Sequence, residues 1–232
     1  MDMEAKSAEV QHVLPENKTR TLINTLFKCG ILSSLLYIAM NVFIPMFYPG
    51  YSSFSQTVSE LSAIDSPTRT TWMVLVIVYS LLVIAFGYGV WLSAHDHRRL
   101  RIAGGLLVVY VLIGLAWPPM HQREVLATGG GSLTDTLHIV FTMVTVPLML
   151  LMMGFGAAAF GKQFRLYTIV TILLVIFFGI LTGLQSAQME ANLPTPWMGV
   201  WERISIAAYM VWVVVFAVIL LKRMWEPELL KK

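Results

Sequence analysis

Residues 129–147 read Gly-Gly-Gly-Ser-Leu-Thr-Asp-Thr-Leu-His-Ile-Val-Phe-Thr-Met-Val-Thr-Val-Pro. They open a long apolar segment, yet Asp135, His138, Thr142 and Thr145 recur at steps of three, four and three, which lines them along one side of a helix. On a membrane helix such a stripe turns inward, because hydrocarbon cannot satisfy polar groups. Ser132 precedes the helix as its cap, and Asp135 at the third position completes a capping box and answers the positive end of the helix dipole. Pro147 is expected to kink the helix and release the carbonyl of Met143.

The whole chain supports a membrane setting. Of its 232 residues, 57% are hydrophobic and 12% charged, and the mean hydropathy is +0.72. A soluble domain carries about a quarter charged residues. Six apolar segments stand out, at 22–47, 70–94, 101–117, 134–160, 166–185 and 202–224, each near the ~20 residues that cross a ~30 Å hydrocarbon layer as a helix. The reading is an all-α, six-transmembrane-helix bundle over residues 21–224, between polar tails at 1–20 and 225–232. The first tail lacks the pattern of a signal peptide. The single cysteine, Cys29, excludes an internal disulfide framework and reads as a small filler of the first helix.

The net charge of +3 does not point to nucleic acid, because of where the charge lies. Lys6, Lys18, Arg20 and Lys28 precede or open the first segment. Arg98, Arg99 and Arg101 fall between the second and third, Lys162 and Arg165 between the fourth and fifth, and Lys222, Arg223, Lys231 and Lys232 close the chain. Only Arg69, Arg123 and Arg203 occupy the alternate loops. Basic residues are retained in the cytoplasm, so both termini are expected there.

The outer loops hold the informative polar residues. In the first, Ser53 and Gln56 suggest a capping box, with Phe54, Val58, Leu61 and Ile64 at helical spacing. The expectation is a short amphipathic helix on the membrane surface, with Gln56 and Glu60 on its polar side. Ser66-Pro67 would start the second membrane helix, and Trp117-Pro118-Pro119 ends the third. Trp72, Trp117, Trp197 and Trp201 mark an outer aromatic belt. His12, His95 and His97 read as solvated cytoplasmic residues.

This topology gathers Glu60, His121, Asp135, His138 and Glu202, with Arg69, Arg123 and Arg203, at the outer helix ends. Three chemistries can use the set. Asp135 and His138, completed by His121 or Glu60, form a candidate metal set, with zinc as the candidate ion and an open position for water. His138, oriented by Asp135 and with His121 nearby, can act as a general base on water or on a serine such as Ser59. Glu60, Arg69, Glu202, Arg203, Tyr209 and Asn41 can hold a lipid headgroup or small amphiphile. Each has a plain structural counterpart: Asp135 as a cap, His138 as a hydrogen-bonded bundle residue, Glu202-Arg203 as an interfacial charge pair, Asn41 and the tyrosines as interhelical links. Binding, sensing or moving an amphiphile is preferred over a membrane-embedded hydrolase or transferase. An ion-coupled transporter ranks last, because no carboxylate falls at mid-membrane depth.

The residues Tyr48-Pro49-Gly50-Tyr51, then Ser55-Gln56-Thr57-Val58-Ser59-Glu60-Leu61-Ser62-Ala63 and Ser66-Pro67, together with Asp135-Thr136-Leu137-His138 and Gly199-Val200-Trp201-Glu202-Arg203, resemble the domain-of-unknown-function 998 family of six-helix bacterial membrane proteins. The resemblance spans roughly residues 25–222 and implies a bacterial inner-membrane location, but no activity. A fainter similarity reaches six-helix proteins implicated in lipid handling. Another reaches membrane hydrolases that hold zinc with histidines, a serine and an aspartate; this chain offers two outer histidines where they use three.

Overall fold

A computed structural model describes residues 16–225, so the polar ends up to residue 15, with His12, and from residue 226 lie outside it. The described chain is helical throughout: α1 (Glu16–Phe43), α2 (Arg69–Ser93), α3 (Arg98–Leu115), α4 (Arg123–Ala127), α5 (Leu133–Ala158), α6 (Lys162–Gly183), α7 (Ser186–Glu190) and α8 (Met198–Trp225), with 3₁₀ turns at Ile44–Phe47 and Val58–Ser62. The six long helices run alternately up and down and form a closed ring in chain order. α1 packs on α2, α2 on α3, α3 on α5, α5 on α6, α6 on α8, and α8 returns to α1.

Among the described residues, five stretches are long and apolar enough to cross a membrane: Lys18–Phe47, Arg69–Ser93, Leu133–Ala158, Lys162–Glu190 and Met198–Arg223. α3 differs because Arg98, Arg99 and Arg101 sit in its first turn. Its apolar run, 102–115, is about 21 Å of helix.

The ring is filled unevenly. At the end bearing Arg98, Arg99, Lys162 and Arg165, here the basic end, aromatic rings plug the axis. Phe164 stacks on Trp212 at 5.8 Å, and Trp212 on Phe216 at 5.0 Å, while the Trp212 indole donates to Thr168 Oγ1 at 2.9 Å. α2 and α3 approach backbone to backbone. A Cβ on Gly104 would lie 2.7 Å from both the Gly87 oxygen and the Trp91 nitrogen, so small residues permit this crossing.

The opposite end is covered by the loops and short helices, here the cap. Its first loop departs from the expected surface helix. The capping box is Thr57–Glu60, not Ser53–Gln56, and it opens only the 3₁₀ turn Val58–Ser62. Val58, Glu60 and Leu61 are buried, while Phe54 is 63% exposed. The cause is competition for carbonyls. Those of Ser53, Phe54, Ser55, Gln56 and Thr57 are engaged by Arg203, the Gly199 and Val200 amides, Arg123 with Thr195, and the Tyr51 hydroxyl. An α-helix needs those oxygens for its own amides.

Other boundaries shift less. α2 begins at Arg69 after Thr68, and both Ser66 Oγ and Thr68 Oγ1 donate instead to the Leu61 carbonyl. Trp72 is buried against Tyr37 at 5.8 Å, inside the bundle and away from the belt. The Ser132–Asp135 capping box and Pro147 inside α5 stand where the sequence places them.

Candidate functional site

The cap is built around a buried ion pair. Arg123, at the start of α4, donates from Nε to Glu60 Oε1 at 2.5 Å and from Nη2 to Oε2 at 2.9 Å, a bidentate arrangement. Its Nη1 reaches Thr195 Oγ1 at 2.7 Å, and Nη2 also reaches the Ser55 carbonyl at 2.8 Å. Glu60 Oε2 accepts from the Thr57 amide and hydroxyl at 2.6 and 2.9 Å, and Gln56 Nε2 approaches Oε1 at 3.3 Å. Burial without such partners would be costly for both charges.

The other proposed ligand-binding residues are tied into the same cap or the bundle. Glu202 accepts from the Val58 amide at 2.5 Å. Arg203 donates to the Tyr51 hydroxyl at 2.5 Å and to the carbonyls of Ser53, Gln56 and Gly199. Burial pushes the Tyr51 phenol above its ordinary pKa, although the Arg203 guanidinium pulls the other way. The hydroxyl therefore keeps its proton and donates it to the Thr57 carbonyl at 2.8 Å. Arg69 donates to the Ser62 carbonyl at 2.6 Å, Asn41 to the Tyr37 carbonyl at 2.9 Å. Tyr209 is buried with its ring 5.9 Å from that of Tyr110.

The polar stripe of α5 divides between two tasks. Asp135 receives the His121 amide at 2.7 Å and the His121 ring Nδ1 at 2.8 Å, besides the Ser132 amide at 2.8 Å. It thereby pins the chain after α3 to the start of α5. His138 faces elsewhere: its Nε2 lies 3.2 Å from Ser59 Oγ, and its Nδ1 lies 3.0 Å from the Trp117 indole nitrogen and 2.8 Å from the Pro118 carbonyl. Among the described residues, no three or more His, Cys, Asp or Glu side chains gather as a metal-holding group. His121 and Asp135 adjoin while His138 turns to Ser59, so the three do not converge on a zinc site.

The two contacts at His138 Nδ1 demand opposite tautomers. If Nδ1 carries the proton, it donates to Pro118 and leaves the indole N–H without an acceptor. If Nε2 carries it, Trp117 donates to Nδ1 and His138 donates to Ser59 Oγ, leaving only the Pro118 carbonyl short. An orphaned donor is rarer in folded proteins than an under-satisfied carbonyl. The relay Trp117 → His138 → Ser59 is the better satisfied arrangement, and it leaves the Ser59 hydroxyl proton free to donate onward.

Beside this relay the ring opens. Every residue of α5 from Leu133 to Val144, of α3 and its continuation from Leu112 to Pro119, and of the stretch from Ile176 to Gln188 is exposed or half-exposed. On the other side of the ring, Met40, Ile44, Trp72, Tyr79 and Tyr209 are buried. The inward rows therefore pass from closed (Thr145, Met149 and Met152; Thr168, Thr171 and Val175) to half-open (Asp135, His138 and Phe141; Phe178, Thr182 and Gln185) toward the cap. Gln185 Oε1 is shielded there without a hydrogen-bond partner.

The family described as "Protein of unknown function (DUF998)" matches residues 31–219. The chain belongs to this family. Neither a curated protein nor a solved structure matches it. In this DUF998 chain the matched span contains both the ion pair and the relay. Sequence reasoning placed Glu60, Arg123, Ser59 and Trp117 at the same end but did not pair Arg123 with Glu60. The one available signal was two opposite charges in neighbouring loops at the end of an apolar bundle.

Proposed function

We propose that this protein spans the plasma membrane six times with both termini cytoplasmic, and binds a lipid or small amphiphile from the outer leaflet in the cleft between α3, α5 and α6. The excess of lysine and arginine at the basic end supports the orientation. The packing of α3 between α2 and α5 supports the sixth crossing.

The cleft is the observation that carries the binding role. Three adjacent helices lose their buried faces only toward the cap, and lipid-exposed side chains alone do not produce such one-sided opening. Phe141 and Phe178, both half-exposed, offer apolar surface to an acyl chain. The Ser59 hydroxyl, polarised through His138 and Trp117, presents a donor to a headgroup carbonyl or phosphate oxygen.

The test is lipid analysis of protein purified in mild detergent. About one tightly held amphiphile per chain is expected. Thr182→Trp, which fills the cleft, should release it, while Leu173→Trp on the exposed face of α6 should not. Equal lipid content in wild type and Thr182→Trp would refute the proposal.

A second reading rests on the 3.2 Å Ser59–His138 contact. In the less satisfied tautomer, His138 Nε2 takes the Ser59 proton as Oγ attacks an ester carbonyl, then returns it to the leaving alcohol. Water then cleaves the acyl-serine. A fluorophosphonate probe decides: labelling abolished by Ser59→Ala and by His138→Asn favours hydrolysis, and an unlabelled wild type removes it.

A further inference from the structure

The basic end carries a second feature that the cleft does not use. Between the α2–α3 and α5–α6 turns lies a pocket of about 440 Å³ bordered by Arg98, Arg99 and Arg165, with Asp96 the carboxylate in its wall. Arg99 Nη1 donates to the Ala158 carbonyl at 3.0 Å, and Arg165 Nη2 donates to the same oxygen at 3.3 Å. Arg165 Nε also holds the Phe160 carbonyl at 3.0 Å. These bonds suit the C-terminus of α5, where cations complement the dipole. They also force two guanidinium groups against one oxygen atom, with Arg98 beside them.

Like charges held this close repel. The repulsion is not relieved by the local helices, since α3 and α6 both begin here and carry arginine and lysine in their first turns, where acids are the stabilising choice. Arg99 retains Nε and Nη2, and Arg165 retains Nη1, as donors beyond those carbonyl bonds. Arginine presents its donors in a planar fork that matches phosphate oxygens.

We infer that this pocket binds a phosphate group, that of a phospholipid headgroup in the adjoining leaflet or free phosphate in solution. The anion bridges Arg98, Arg99 and Arg165, offsets their repulsion, and joins the α2–α3 turn to the α5–α6 turn.

The experiment titrates the full-length protein in neutral detergent with dioctanoyl phosphatidylglycerol, and follows binding by calorimetry. Dioctanoylglycerol serves as the phosphate-free control, and inorganic phosphate as competitor. Saturable binding of the phospholipid is expected, weakened about fivefold in Arg98→Gln and further in Arg98→Gln/Arg165→Gln, and suppressed by high salt. Phosphate that displaces the lipid shows that the pocket accepts the free anion; lipid binding untouched by phosphate shows that it takes the headgroup. Dioctanoylglycerol binding as tightly as the phospholipid, or unchanged affinity in Arg98→Gln, overturns the inference. Arg98 is exposed and makes none of the carbonyl bonds to α5, so its single substitution leaves them in place.

Discussion

Removing Arg123 tests whether the cap is held by its buried ion pair. The side chains of Arg123 and Glu60 are only 9% and 4% exposed. In Arg123→Met, Glu60 keeps its Thr57 and Gln56 donors but loses its cation, while Thr195 and the Ser55 carbonyl lose their shared donor. Stranding one member of a buried pair costs about 3–5 kcal/mol. For a chain of this size each kcal/mol moves the unfolding midpoint by about 2–4 °C, so a fall of roughly 6–20 °C is expected. The assay heats detergent-solubilised protein and follows the monodisperse fraction by size-exclusion chromatography. Glu60→Gln alone should also destabilise. The double variant strands no charge and should be milder than the two singles added together by at least about 1 kcal/mol. A midpoint within about 2 °C of wild type in Arg123→Met, or strict additivity in the double variant, would refute the reasoning.

Three further outcomes are expected. Asp135→Ala removes the α5 cap and the tie to His121 and should cost about 1–2 kcal/mol, measured by the same thermal assay, with faster proteolysis in the 118–132 loop. Gly104→Ala drives a Cβ into the Gly87 and Trp91 backbone and should cost about 1–3 kcal/mol; Gly105→Ala, whose Cβ meets nothing within 4 Å, should be neutral or stabilising. Gly199→Ala would push a Cβ into the Gln56 and Ser53 carbonyl oxygens. It should detach the first loop from α8, read as new protease cleavage between residues 50 and 60.

What was legible in the sequence was local. Hydropathy places the long helices within a few residues because the apolar length of a span is a property of consecutive residues. The Ser132–Asp135 box was readable for the same reason, since both members belong to one helical turn. Glu60 was not. A glutamate in a loop looks solvated until the arginine 63 residues away is known to face it. The 3₁₀ geometry of Val58–Ser62 was equally hidden, because the carbonyls that would have made a longer helix are claimed by Arg123, Thr195, Gly199, Val200 and Arg203. The division of Asp135 from His138 depends on which way a carboxylate and an imidazole turn, and a three-residue spacing cannot decide that.

The order of synthesis adds a consequence. The ties that reach the first loop from elsewhere come from 56 to 152 residues downstream, with the last of them on α8. While the ribosome is still making the helices before α4, Glu60 has no cation to pair with, and until α8 is made Phe54 has no amide to receive. A nascent chain halted before residue 198 would thus lack the Gly199, Glu202 and Arg203 ties and present a more loosely held first loop to surveillance proteases than the finished chain does. Synthesis of α8 thus completes the fastening of the first loop.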